Sequence, residues 1–133
     1  MLSKTFFMKK FLFVIALTCL SFTTFAQTKF FRAVDLTIGL KDSGKIEWGE
    51  SSPQSLLIKI ENNFMVIYSK EVQTFRVITY DGQYDNGVKR WYCCDDKGIN
   101  CYLYIAPEDE KTKLMTIGIE YLDLAYYYRG RQE

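Results

Sequence analysis

The sequence predicts an all-β protein, and two observations carry that prediction. Apolar and polar residues alternate with a period of two along most of the chain after residue 26, and no stretch shows a helical period. Turn signals rich in Asn, Asp and Gly separate the alternating segments at intervals of roughly 8 to 12 residues. Sequential hairpins of this kind predict about eight strands in an antiparallel up-and-down meander, which closes into a small lipocalin-like barrel and so removes its exposed edges. An open β-sandwich is the alternative.

The first 26 residues have the features of a signal peptide. Three lysines precede an apolar run over 11–20, and Thr24-Phe25-Ala26 supplies the small residue expected at a cleavage site. The run is too short to span a bilayer, which needs roughly 20 residues, and the residues before Cys19 do not fit a lipoprotein signal. We predict export to the periplasm or outside the cell, with residues 27–133 forming a single all-β domain that has no stable membrane span.

The first predicted strand has one buried face. Alternate residues from Val34 to Leu40, including Ile38, are apolar, and the residues between them are small or polar. A turn is predicted at 42–44. The loop that follows, at 49–53, ends in a proline, which disfavours helix before it.

A tight hairpin follows this loop. The dipeptide Asn62-Asn63 predicts its turn, because Asn tolerates a positive φ. In the register that this turn sets, Ile60 lies opposite Met65 and Ile58 lies opposite Ile67, all on one face of the sheet.

The strand predicted over 73–80 is rich in β-branched and aromatic residues. Its inward face is either that of Phe75 and Val77 or that of Ile78 and Tyr80. Further strands are predicted over 88–94, 99–106, 114–121 and 122–129.

The segment from Trp91 to Ile105 predicts a hairpin that contains three cysteines. Asp95-Asp96-Lys97-Gly98 fits a type I turn followed by a glycine in the left-handed region. In this register Cys93 faces Cys101. The predicted core face comprises Trp91, Cys93, Ile99, Cys101, Leu103 and Ile105, and the opposite face carries Arg90, Tyr92, Tyr102 and Tyr104, with Arg90 against Tyr104.

A disulfide between Cys93 and Cys101 follows from this register and from export, because opposed strand residues have Cα separations within disulfide range. The alternative is a pair of small buried thiols that act as apolar fillers. Cys94 points to the other face, and an odd cysteine in an exported protein either forms an intermolecular disulfide or stays free. We predict a free thiol, since no helix N-terminus or histidine is expected beside it.

The composition argues against several kinds of chemistry. The chain has no histidine, no Cys/His cluster and no loop with the ligand spacing of a calcium site, so no cofactor or metal site is predicted. After residue 26 the net charge is about −2 and no basic block occurs, so nucleic acid is not an expected partner. Glu47 and Glu50 flank Trp48, and this acid pair supports an alternative function as a small exported glycan-active hydrolase.

The remaining signal is the exposed aromatic side chains. All ten tyrosines and both tryptophans lie after residue 26, and Tyr and Trp suit protein interfaces and sugar stacking. The structural alternative is aromatic cross-strand pairing that strengthens a small sheet. Short strands with large inward side chains favour a filled interior, and therefore a protein partner at the surface. We expect a non-enzymatic binding module whose partner is a protein, a glycan or a small apolar ligand. The candidate binding residues are Trp48, Tyr92, Tyr102, Tyr104 and Tyr127.

Three features together resemble a known group of proteins: the signal peptide, the loop Trp48-Gly49-Glu50 and the cysteine hairpin. The chain is similar over its whole length to the small exported all-β proteins of unknown function that are common in Gram-negative gut bacteria. This resemblance implies a calycin-like barrel and implies no particular activity.

Overall fold

The computed structural model describes residues 28–133, which form nine β-strands and no helix. The predicted signal peptide, residues 1–26, and Cys19 lie outside the described residues. The strands are β1 (Lys29–Asp42), β2 (Lys45–Trp48), β3 (Ser52–Glu61), β4 (Phe64–Ile67), β5 (Gln73–Gln83), β6 (Lys89–Asp95), β7 (Asn100–Ala106), β8 (Met115–Glu120) and β9 (Leu124–Gln132).

The strands form a closed antiparallel barrel. Each strand from β3 to β8 pairs with the next one along the chain, and β1 pairs with both β3 and β9. Eight strands therefore complete the barrel, and β2 is an additional strand that pairs only with the end of β1. The predicted all-β meander that closes into a barrel is confirmed. Within residues 28–133 no helix is long and apolar enough to cross a membrane.

The buried residues of β1 differ in part from those that the sequence predicts. A bulge between Ala33 and Asp35 shifts the alternation, so Phe31 and Ala33 are buried before it and Leu36 packs against the core after it. Beyond Leu36 the strand leaves β3 and pairs with β2, past the end of the barrel. The expectation that Ile38 and Leu40 are buried is therefore wrong, because both lie where the barrel no longer covers them.

The predicted hairpin registers are confirmed. Ile60 pairs with Met65 and Ile58 with Ile67, and Asn62 has a φ of 51° in the turn. The sequence left two alternatives for the inward face of β5, and in the structure this face is formed by Phe75 and Val77. Phe75 is buried and Val77 packs against the core, whereas Ile78 and Tyr80 are exposed.

The cysteine hairpin has the predicted register, with Cys93 opposite Cys101. Cys93, Cys101 and Leu103 are buried, and Trp91 and Ile105 pack against the core. Ile99 is the exception: it lies at the tip of the hairpin and is exposed, so its predicted place in the core is wrong.

The core fills the middle of the barrel. It is made of inward side chains from all eight barrel strands, and none of the buried side chains in the described part is polar apart from the tyrosine hydroxyl. Its residues are Phe31, Ala33, Leu56, Ile58, Met65, Ile67, Phe75, Cys93, Cys101, Leu103, Ile117, Ile119 and Tyr128.

Candidate binding site at one end of the barrel

One end of the barrel is open. The connections β4–β5, β6–β7 and β8–β9 meet there and enclose a cleft of about 520 Å³. Phe75 and Tyr126 line it and also contact the core, so they join the cleft to the packed interior. An apolar hollow of about 100 Å³ lies at the opposite end.

The entrance of the cleft is apolar. Val72, Ile99 and Leu122 come from three different connections, and all three are exposed; Leu122 is 96% accessible. The projecting end of β1 adds to this apolar region, because Ile38 pairs with Tyr126 and Leu40 with Leu124. Exposed apolar side chains gathered at one place mark binding sites more often than scattered ones do.

A hydrogen-bonded pair, Asp95 and Tyr121, lies in the cleft wall. The Tyr121 hydroxyl donates to Oδ2 of Asp95 at 2.9 Å, and the backbone N–H groups of Lys97 and Ile99 donate to Oδ1 at 3.0 and 2.8 Å. Burial pushes the pKa of Asp95 upward, but these hydrogen bonds outweigh it and hold the pKa below its ordinary value. Burial, helped by the bond to Asp95, raises the pKa of Tyr121. The pair therefore stays as a carboxylate and a neutral phenol at neutral pH.

More charges surround this pair. Glu71, Asp96 and Asp123 also line the cleft, and Lys97 is the one basic residue in its lining. Within residues 28–133, none of these acids, nor Asp95, forms an ion pair with a lysine or arginine. No group of three or more acidic, cysteine or histidine residues in the described chain is placed to hold a metal ion.

The predicted aromatic residues lie on the outer surface, in two groups. In the first, Tyr92 and Tyr102 meet edge to face with ring centroids 5.6 Å apart, and Arg90 lies over Tyr102 at 4.6 Å. Tyr104 stacks on Tyr84 at 6.4 Å and is the cross-strand partner of Arg90, which forms an ion pair with Asp81. Arg90 was expected to lie against Tyr104, but its guanidinium lies over the Tyr102 ring.

The second group joins Trp48 and Tyr127, whose rings meet edge to face at 4.7 Å. Both rings cover glycines: a Cβ at Gly39 would lie 2.7 Å from the Trp48 ring, and one at Gly118 would lie 2.8 Å from the Tyr127 ring. The aromatic residues within each group thus contact one another, and Tyr92 and Tyr102 pair directly across two neighbouring strands, as the structural alternative expected.

The two glutamates of the hydrolase alternative are exposed. Glu47 pairs with Leu40 and Trp48 with Gly39, so Glu47 and Trp48 point to opposite sides of β2. The structure does not place Glu47 beside the tryptophan ring that was expected to form a sugar subsite.

None of the three cysteines of the described chain lines the cleft. In the structure Cys93 and Cys101 are free thiols, so the predicted disulfide is not formed in it, and Cys94 is a half-buried free thiol. Burial raises the pKa of Cys93 to about 11 and that of Cys101 to about 12, which makes both weak nucleophiles.

Sequence reasoning missed the cleft. The sequence predicts Asp95 and Asp96 only as turn residues, and Tyr121 and Leu122 only as the adjoining ends of the last two strands. One signal was available: Leu122 is a large apolar residue in a short turn, where solvent exposure is expected.

No known protein family, no curated protein and no solved structure matches this chain. The fold and the cleft therefore define its class by themselves. It is a small antiparallel β-barrel with a filled middle and one open end.

Proposed function

We propose that this protein is a non-enzymatic binding module that holds a small ligand in the cleft at the open end of its barrel. The observation that carries the proposal is the size of the cleft. Its volume of about 520 Å³ falls within the range of roughly 300 to 1,000 Å³ that is typical of small-molecule sites. The mouths of β-barrels are among the places where such sites occur.

The lining supports this proposal. Apolar side chains such as Phe75, Ile99 and Leu124 surround a few fixed polar groups, of which the Asp95 carboxylate is the most firmly held. Ligand sites commonly combine an apolar surface with a small number of placed polar groups. A surface site formed by the outer aromatic rings has less support, because those rings already contact each other, Arg90 or the glycine backbone.

Export is part of the proposal. The basic residues, apolar run and cleavage site of residues 1–26 support delivery to the periplasm or the exterior. We do not extend the proposal to the hydrolase alternative, since Glu47 and Trp48 lie on opposite sides of β2.

A ligand screen with a matched pair of variants tests the site. Thermal unfolding of the purified protein is measured with a panel of small apolar, amphipathic and sugar ligands. A ligand present at about 100 times its Kd should stabilise the protein by about 2.7 kcal/mol. Ile99→Lys places a charge in the entrance and should abolish the shift.

The control variant is Ile78→Lys. Ile78 and Ile99 are the same residue type and are similarly exposed, at 49% and 52%, but Ile78 is not in the cleft lining. The Ile78→Lys variant should keep the full ligand-induced shift in thermal unfolding. Ligands that stabilise both variants equally would place binding elsewhere, and the absence of any shift across the panel would count against small-ligand binding.

A further inference from the structure

The charge on the cleft is unusual for this chain. Four acids and one lysine line it, so the local charge is strongly negative, whereas the chain after residue 26 carries a net charge of only about −2 spread over its whole surface. Five acids of the described chain form ion pairs with basic residues, such as Asp35 with Arg129 and Glu120 with Lys41. The acids of the cleft have no such partner among residues 28–133.

We propose that the cleft selects organic cations, meaning ligands that join an apolar body to an ammonium group. This inference rests on the proposed function and names the class of ligand for the same site. The apolar body would contact Val72, Ile99 and Leu122 at the entrance, and the ammonium would lie among the carboxylates.

The arrangement of the acids favours an organic cation over a metal ion. No three of them converge at a point where they could coordinate one ion in the described chain. They come instead from three connections: Glu71 from β4–β5, Asp96 from β6–β7 and Asp123 from β8–β9. Charges spread around a rim attract a diffuse cation without requiring coordination geometry.

The tyrosines of the cleft supply a second attraction. Tyr121 and Tyr126 line it and meet edge to face with ring centroids 6.5 Å apart. A cation near the face of an aromatic ring gains electrostatic stabilisation from the ring quadrupole. The hydroxyl of Tyr121 is committed to Asp95, and both rings also pack against the core, so only the parts of the rings that line the cleft can contact a ligand.

Lys97 does not neutralise the site. It lies close enough to Asp95 to help lower the pKa of that carboxyl, yet it forms no ion pair with any acid of the described chain. Three acids, Glu71, Asp96 and Asp123, are left for a cationic ligand.

The test compares three probes of similar shape and different charge: phenethylamine, phenethyl alcohol and hydrocinnamate. Calorimetric titration of the purified protein at neutral pH should give a Kd for the amine at least tenfold lower than that for the carboxylate. Tenfold corresponds to about 1.4 kcal/mol. The preference should shrink at high salt, because exposed charges are screened.

A variant with Glu71→Gln, Asp96→Asn and Asp123→Asn should reduce the preference to about threefold or less. All three residues are exposed, so these changes should leave folding intact. The matched control removes the same charge at the opposite end of the barrel.

That control carries Asp85→Asn, Glu108→Gln and Glu110→Gln, which are exposed and lie outside the cleft. It should keep the full preference for the amine. Equal binding of the three probes, or tighter binding of the carboxylate, would overturn the cation inference. If Ile99→Lys still blocked that binding, the proposed function would stand. No binding of any probe would overturn the inference as well.

Discussion

The Asp95–Tyr121 pair gives the sharpest prediction about stability. Asp95→Ala removes an acceptor that takes two backbone hydrogen bonds and one from the Tyr121 hydroxyl. A hydrogen bond to a charged group contributes about 1.5–3 kcal/mol when buried, and an exposed one contributes less. Because the two backbone donors are exposed and the tyrosine is part-buried, we expect a total loss of about 2–4 kcal/mol. Chemical denaturation with urea measures it.

Asp109→Ala is the matched control. Asp109 also accepts two backbone hydrogen bonds, from Lys111 at 2.8 Å and Thr112 at 3.0 Å, but no tyrosine donates to it. The difference between the two variants should be about 1–2 kcal/mol, which isolates the Tyr121 bond. Tyr121→Phe should lose a similar amount alone and little more when combined with Asp95→Ala. Equal losses at Asp95 and Asp109, or additive losses in the double variant, would refute the reasoning.

The same pair predicts a pH dependence with a definite sign. The folded pKa of Asp95 lies below its ordinary value, although its burial opposes the shift. The stability from its charge is therefore fully present above the unfolded pKa of about 3.9 and is lost as the pH falls through the folded pKa. Below about pH 4 the unfolding free energy of the native protein should fall more steeply than that of Asp95→Asn. Parallel curves for the two proteins would contradict this account.

Two further predictions concern the cysteine pair and a glycine. Cys93 and Cys101 are free thiols in the structure but lie in register, so the proposed export to an oxidising compartment should join them. Non-reducing digestion of protein recovered from the periplasm or the medium should give a peptide that joins the two, and free alkylatable thiols at both positions would exclude the bond. Gly118→Ala should cost about 1–2 kcal/mol, since its Cβ would lie 2.8 Å from the Tyr127 ring. In a Tyr127→Ala background the cost of Gly118→Ala should nearly vanish. Urea denaturation of the wild type, the two single variants and the double variant measures this cost. An unchanged cost in the Tyr127→Ala background would show that the ring is not responsible.

The registers could be predicted because each depends on a few neighbouring residues. Asn62-Asn63 sets Ile60 opposite Met65, and the turn after Asp95 sets Cys93 opposite Cys101. A one-residue slip would move every side chain to the other face, so turn chemistry and apolar alternation must agree. Where turn chemistry and alternation agree, the local sequence is sufficient to predict the register.

The ends of the barrel could not be predicted in this way. Alternation shows which side chains share a face, but it does not show where neighbouring strands stop covering that face. Ile38 and Leu40 have the same pattern as buried residues, and they are exposed because β3 separates from β1 beyond Leu36. Ile99 is exposed for a similar reason, at the tip of its hairpin.

The cleft depends on closure of the barrel. Val72, Ile99 and Leu122 belong to three separate connections, and only the pairing of β1 with β9 fixes the ring that brings these connections to one end. The contact between Trp48 and Tyr127 depends on the same closure, because the two residues lie on β2 and β9. Neither arrangement has a local sequence signature.

The contrast between the two ends of the barrel is the strongest reason to regard the cleft as a site. Both ends face solvent; the apolar hollow described at one end has a volume of about 100 Å³, and the cleft at the other has about 520 Å³. The larger opening carries Leu122, which is almost fully exposed, next to unpaired carboxylates. Neither feature stabilises the folded chain, because exposed apolar surface gains nothing from burial and like charges repel. A ligand with an apolar body and a positive charge would cover the exposed apolar surface and offset the negative charges at the same time.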